Sequence, residues 1–397
     1  MTSRYIFFFI LGIDALILFF QTSQVSISYE EASLLYGDFS FLQFLVKASI
    51  AIFGSNDFGL RFVMILFHIM SVILVYLISF RYLSSERNRL WLLLMYVLLP
   101  GVVSSAILVN SAGLIIFGLL LYVYLSEKTS QLFLNLLLLF YALINVGFVY
   151  LFLALAIFYL FEKKRMLFLY SIGLYFLSNF MYGFDVGGYP SGHFLDTIGV
   201  YSAIFTPIVF IYLFYTIYKN YLINKTDLLW YISATGLLIS LMLSFRQRVP
   251  IEHFGPYLII ALPLAAQTFV HSYRIRLKEH RRSYKVIFII SFIFLFFNTA
   301  TVFFNKELYL LIDNPRKHFV YDMHIAKELS VKLKAQNVNC VTTDKEMQLR
   351  LKFYGVSKCQ DYIMRELKPN STESQNVTIS YKNDILYRAY VTKVNNN

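Results

Sequence analysis

"LFLNLLLLFYALINVGFVYLFLALAIFYLF", residues 132–161, runs for thirty residues without a charge. One membrane span of about 20 residues would need less, and two full spans would need more. The flanks decide the reading. "SEKTSQ" (126–131) precedes it and "EKKR" (162–165) follows it. Both are hydrophilic gaps with Lys or Arg, of the kind that stays on the cytoplasmic side. Equal flanks require an even number of crossings. The run therefore predicts two short helices turning at Asn145-Val146-Gly147. Bare backbone is costly in lipid, so that turn should be sheltered by neighbouring helices or face a cavity.

Outward from this run the same alternation covers most of the chain. Of 397 residues, 58% are hydrophobic and only 15% charged. A water-soluble domain of this size could not hide so much apolar surface. Apolar runs at 4–20, 59–80, 90–110, 111–125, 166–180, 200–218, 228–245, 256–270 and 286–304, with the central pair, predict about eleven spans. The class is an all-α polytopic membrane protein. The first run lacks an Ala-x-Ala-like cleavage site and holds Asp14, so it reads as a retained helix. The net charge of +12 sits in short gaps, above all "HSYRIRLKEHRRSYK" (271–285). That is a positive-inside pattern, with no nucleic-acid motif. It places the N-terminus in the cytoplasm and the C-terminal segment outside.

Three segments stand apart from the spans. Residues 21–58 form a first external loop with "ISYEEASLLYGD" (27–38) and the apolar "SFLQFLVKASIAIFG" (40–54). The loop "RQRVPIEHFG" (246–255) lies outside against the charge bias. From about residue 305 the composition turns soluble. Helices over 319–335 and 344–355 and strands over 337–343, 376–381 and 385–394 predict a small α/β domain, 305–397, after a transmembrane domain, 1–304. Its Cys340 and Cys359 are the only cysteines and suit either a disulfide or two buried thiols.

Chemistry at the outer edge would fall to acids and bases. Glu30 and Glu31 are adjacent, and neighbours on a helix point about 100° apart, so one of them faces any given cleft. A carboxylate there could take a proton from a hydroxyl, or be an ordinary solvated acid. Arg246 and Arg248 suit phosphate oxygens, with Glu252 and His253 close by; lipid headgroups would suit them as well. Asp57 and Arg61 read as a helix start with an ion pair. Asp185, His193 and Asp196, and separately His318, Asp322 and His324, have metal-ligand chemistry but read more simply as loop and helix polar groups. Asp14 inside a span needs a partner. No zinc-type Cys/His spacing, phosphate-binding Gly-rich loop or Gly-x-Ser-x-Gly elbow occurs.

The order of these features resembles the GT-C superfamily of integral-membrane glycosyltransferases. The branch it is most similar to is that of bacterial lipid A aminoarabinose transferases and protein O-mannosyltransferases. Glu30-Glu31-Ala32 occupies that family's Asp-Glu-Ala slot. "IFGSNDFGLR" (52–61) matches its second element, and "LSFRQR" (243–248) with Pro256-Tyr257 and Leu262-Pro263 matches its late stretch. The resemblance covers about residues 1–304. It implies inverting transfer of a sugar from a polyprenyl-phosphate donor, on the external face of a bacterial inner membrane. The acceptor would be a lipid such as lipid A, a glycan or a protein. Glu30 or Glu31 would be the catalytic base. Arg61, Arg246, Arg248 and His253 would hold the donor phosphate, and Lys47, Asp57 and Tyr257 would line the cleft. The lipid-linked sugar would be a substrate rather than a cofactor, and a divalent metal stays open. The alternatives are a carrier or flippase for a lipid-linked substrate, a non-catalytic relative, or a structural membrane protein whose soluble domain binds a partner.

Overall fold

The computed structural model describes residues 2–183, 191–312, 314–366, 376–382 and 384–393. Its helices are α1 (Thr2–Gln24), α2 (Tyr29–Tyr36), α3 (Phe41–Phe53), α4 (Asp57–Tyr82), α5 (Glu86–Val97), α6 (Pro100–Ile107), α7 (Ser111–Leu125), α8 (Gln131–Ile144) and α9 (Val149–Phe161). There follow α10 (Arg165–Tyr182), α11 (Phe194–Phe205), α12 (Pro207–Leu222), α13 (Leu228–Ser244), α14 (Ile251–Ile259), α15 (Leu262–Ile275), α16 (Lys278–Phe303), α17 (Ala326–Ala335) and α18 (Lys345–Phe353). Three strands close the chain: β1 (Tyr362–Glu366), β2 (Asn376–Tyr381) and β3 (Asp384–Lys393). The chain divides into two compact units, one of Met1–Leu18 with Met64–Thr299, the other of Phe19–Val63 with Ala300–Asn397.

The first unit is a helical membrane body, and the protein is a multi-pass membrane protein. Helices 4–24, 57–82, 251–275 and 278–303 are long and apolar enough to cross alone. Two other runs that read as single spans are broken. α5 and α6 bend by 58° at Pro100, and α11 and α12 by 105° at Pro207. Proline lacks an N–H and clashes with the preceding turn, so a helix ends before it and a new one starts at it. Thr206, at φ 66°, absorbs the sharper of these two turns.

The central run folds as two short helices, α8 and α9, with a 3-10 turn at Val146–Phe148 between them. The turn is satisfied inside the protein. Asn145 Oδ1 accepts from Gly147 N at 2.7 Å, and the Tyr257 hydroxyl donates to Gly147 O at 2.7 Å. Tyr141, from α8, donates to Gly118 O at 2.9 Å. A Cβ on Gly147 would meet Ile115 Cδ1 at 2.2 Å, so any larger residue here would have to push that side chain of α7 aside. Asp14 also finds its partner, His68 Nε2 at 2.6 Å. A lone carboxylate there would be far costlier.

The second unit combines α2, α3 and the C-terminal segment. Its sheet has the order β1-β3-β2, antiparallel throughout. The core under it holds Leu329 and Leu333 from α17, Met347 and Leu351 from α18, and Ile379, Ala389 and Val391 from the sheet. The strand expected over 337–343 is reduced to two isolated bridges, Cys340 to Ser357 and Thr342 to Ile363. Its partner changes within two residues, so no ladder extends. Residues 362–366 form a strand that the sequence pattern did not suggest. A disulfide joins Cys340 to Cys359, with Cα atoms 5.4 Å apart.

His318 and His324 use their ring nitrogens within the fold, in line with the simpler reading of that stretch as polar groups. His318 Nδ1 accepts from Val320 N at 3.2 Å and its Nε2 lies 2.8 Å from Asn305 O. His324 sits 3.0 Å from both the Tyr309 hydroxyl and Asn305 Oδ1. Burial, with Lys306 and His318 nearby, pushes His324 down from 6.5 to about 3. The unfolded chain then binds the extra proton first, so stability is complete above the unfolded value and falls as pH drops below 6.5 toward about 3. Lowering pH from about 7.5 to 5 is expected to destabilise this unit by roughly 2 kcal/mol. Hydrogen exchange at residues 318–326 reads the effect, and His324→Gln should remove most of the pH dependence. An unchanged pH dependence in that variant would locate the titrating group elsewhere.

Candidate functional site

The loop acids lie on a helix of only two turns. Ser28 caps α2: its hydroxyl accepts from Glu31 N at 3.0 Å, and Glu31 Oε2 accepts from Ser28 N at 2.9 Å. This reciprocal capping box fixes where the helix starts. It turns Glu31 inward, where its side chain is 1% exposed. There it meets Arg61, itself fully buried. Arg61 Nε donates to Oε1 at 2.9 Å and Nη2 to Oε2 at 2.6 Å. This is a two-point guanidinium–carboxylate pair. The other guanidinium hydrogens go to the carbonyls of Thr22, Val25 and Ser26 at 3.2, 2.5 and 3.0 Å. Arg61 thus staples the chain between α1 and α2 to the start of α4.

Glu30, one residue earlier, points the other way. It is exposed, and no hydrogen bond or ion pair reaches its carboxylate among the described residues. The two acids therefore differ in kind. Glu31 has at least three donors on its two oxygens, while Glu30 keeps all its acceptor capacity for something else.

Asp57 starts α4 but does not cap it; Asn56 does, accepting from Gly59 N at 2.7 Å. Asp57 is 5% exposed and answers two groups far away in sequence. Lys327 Nζ lies 2.6 Å from Oδ2, and the Tyr354 hydroxyl donates to Oδ1 at 2.6 Å. The same hydroxyl accepts from Ile27 N at 2.9 Å. Burial first, and then the Asp57 charge, push the Tyr354 phenol well up, so it stays protonated and donating. Ser26 adds two bonds to Met323 O, from its N at 2.8 Å and its hydroxyl at 2.7 Å. The acid-bearing segment 25–31 is thus held from both sides within this unit. Lys47, on α3, is exposed.

The other sequence candidates belong to the first unit. Arg246 and Arg248 follow α13, both exposed, with no side-chain hydrogen bond or ion pair among the described residues. Backbone links tie this turn to the start of α11: Ser191 N to Arg246 O at 3.1 Å and His193 N to Ser244 O at 2.8 Å. His253 is half-buried on α14. Tyr257 is fully buried; it packs against Gly236 and bonds to Gly147, so it braces the core rather than lining a cleft. His193 bridges the Ser191 hydroxyl at 2.7 Å and Asp196 at 3.2 Å in an exposed chain. Asp185 lies outside the described residues.

Sequence reasoning missed Lys327 and Tyr354, which carry no local signal. It had a signal for the inward turn of Glu31, since Ser28-x-x-Glu31 is the capping-box pattern.

The whole chain is similar in fold to the crystal structure of ArnT from Cupriavidus metallidurans in the apo state. The TM-score is 0.57 over 98% of both chains, at 10% sequence identity. No protein-family model and no curated protein sequence matches the chain.

Proposed function

We propose that the protein is a glycosyltransferase that moves a sugar from a polyprenyl-phosphate donor to a hydroxyl acceptor at the external membrane face. Glu30 is the general base. The acceptor oxygen bonds to the anomeric carbon from the face opposite the leaving group, and the hydroxyl proton passes to the Glu30 carboxylate. The bond from the anomeric carbon to the phosphate oxygen breaks, and polyprenyl phosphate leaves with the electron pair. The sugar's configuration inverts. Arg246 and Arg248, with His253, have the chemistry to stabilise the phosphate charge. Glu31 and Arg61 act as the mount that holds Glu30.

The observation that carries this reading is the free carboxylate of Glu30 beside a neighbour locked in a buried ion pair. A base must have an oxygen left to accept with. Support comes from the ArnT-like fold and from Glu30-Glu31-Ala32 in the Asp-Glu-Ala slot of the family that the sequence resembles. The test is turnover of the purified full chain with a panel of polyprenyl-phosphate sugars, read by mass spectrometry of lipid, glycan and peptide acceptors. Release of polyprenyl phosphate together with an acceptor gaining one sugar supports the reading. Intact donor across the panel would overturn it.

A further inference from the structure

A cavity of about 630 Å³ opens in the first unit among α5, α12, α15 and α16. Ligand sites commonly have volumes in the range of roughly 300–1,000 Å³. Its walls are aromatic and aliphatic, with Trp91, Tyr212, Phe269 and Phe288 prominent. Phe269 stacks on Tyr284 at 4.6 Å and meets Phe288 at 5.1 Å, and Trp91 meets Phe288 edge-on at 5.7 Å. The cavity is therefore framed by mutually packed rings. On α5 its lining runs from Ser85 to Met95, about 15 Å at the helical rise.

Only one end is charged. Arg87 comes from the first turn of α5, Arg274 from the last turn of α15 and Lys285 from the second turn of α16. No carboxylate pairs with any of the three among the described residues, although Lys285 lies 5.8 Å over the Tyr273 ring. Glu86, the acid nearest in the chain, reaches toward Arg89 at 3.9 Å. Two further arginines of this segment are engaged within the protein. Arg281 donates to the carbonyls of Arg274 and Arg276, and Arg276 covers the Tyr284 ring at 4.4 Å. The segment 271–285 carries six Lys or Arg against one Glu, so this end has a positive balance.

An apolar cavity with three cations that no carboxylate pairs at one end suits a lipid with an anionic headgroup. Two guanidinium groups and an ammonium favour phosphate oxygens. Arg246 and Arg248 are separated from this end by the full 251–275 helical span, about 37 Å. The cavity is thus separate from the arginines proposed for the sugar donor. We infer that it binds a lipid phosphomonoester, with the phosphate at Arg87, Arg274 and Lys285 and the chain along Trp91, Phe269 and Phe288. This site does not depend on the transferase reading and holds for a non-catalytic protein too.

The experiment is a titration of the full chain in neutral detergent with dioleoyl phosphatidic acid, read by native mass spectrometry. Dioleoyl phosphatidylcholine and inorganic phosphate serve as separate arms. Phosphatidic acid is expected to stay on at one copy per chain and phosphatidylcholine to dissociate. The Arg87→Gln/Arg274→Gln/Lys285→Gln variant changes only exposed side chains and should retain the lipid roughly tenfold or more less tightly, with its melting temperature unchanged. Ala266→Trp, in the apolar wall, should weaken retention without touching the charge. Equal retention of both lipids, or parent-like retention in the triple variant, would overturn the site. So would displacement of phosphatidic acid by inorganic phosphate at equal concentration, since the chain would then contribute nothing.

Discussion

Glu30→Gln is expected to lower sugar transfer by about 10²–10⁴-fold while leaving insertion unchanged and stability within about 1 kcal/mol of the parent. Gln keeps the size and polarity of the side chain but cannot accept a proton in this range of pH. The protein should tolerate the change, because the Glu30 carboxylate is exposed and unpaired. Its one structural contribution is a negative charge in the first turn of α2, worth about 0.3–1 kcal/mol. Glu30→Asp should retain partial turnover, since the base survives but sits about one methylene short of its position. The contrast with Glu31 is what gives the experiment force. Loss of turnover in Glu30→Gln with a parent-like melting temperature separates chemistry from folding, which no change at Glu31 can do. Parent-like turnover in Glu30→Gln, in a preparation where the parent protein transfers sugar, would remove Glu30 from the mechanism.

The membrane class was legible because hydrophobic runs of span length leave few alternatives. The Leu132–Phe161 turn was legible as well. A run too long for one span and too short for two, with like flanks, has to turn, and Asn-Val-Gly is where it can. The bends at Pro100 and Pro207 carried a signal that length counting overrode: each proline sits inside an apolar run, and each starts a new helix. Those runs therefore fold as bent pairs instead of straight crossings. The roles of Glu30 and Glu31 were half legible. Their divergence follows from helix geometry, and the capping box at Ser28 indicates which one turns inward. That Arg61 is the partner of Glu31 follows only from the fold, thirty residues on. Asp57 shows the same limit more sharply. Its partners, Lys327 and Tyr354, lie about 270 and 297 residues away, and no periodicity reports a contact of that span.

Breaking the buried pair should be among the most destabilising single changes in the second unit. Glu31→Gln leaves the Arg61 guanidinium buried with three carbonyls and only the charge of Asp57, which does not bond to it directly, to offset its own. Arg61→Met leaves the Glu31 carboxylate buried with only Ser28 donating among the contacts described above, and also strips the carbonyls of Thr22, Val25 and Ser26 of their donors. Removing one member of a buried ion pair costs about 3–5 kcal/mol, because the other charge stays out of water. Arg61→Met should be the worse of the two, since it abandons three carbonyls besides the charge. The Glu31→Gln/Arg61→Met double variant should lose clearly less than the two single losses added together, as both charges go at once. It should not return to the parent, because the carbonyls remain unserved. Hydrogen exchange at the Ser28 and Glu31 amides, with melting of the full chain, measures all three variants. Single variants within about 0.5 kcal/mol of the parent would mean that the pair is not what holds α2. A double variant that loses the sum would mean that the two side chains act independently. If instead the pair behaves as expected, Arg61 has no spare donor for a sugar phosphate. On the proposed reading, Arg61 would then contribute to turnover only by keeping Glu30 where it is, and phosphate binding would be left to other cations.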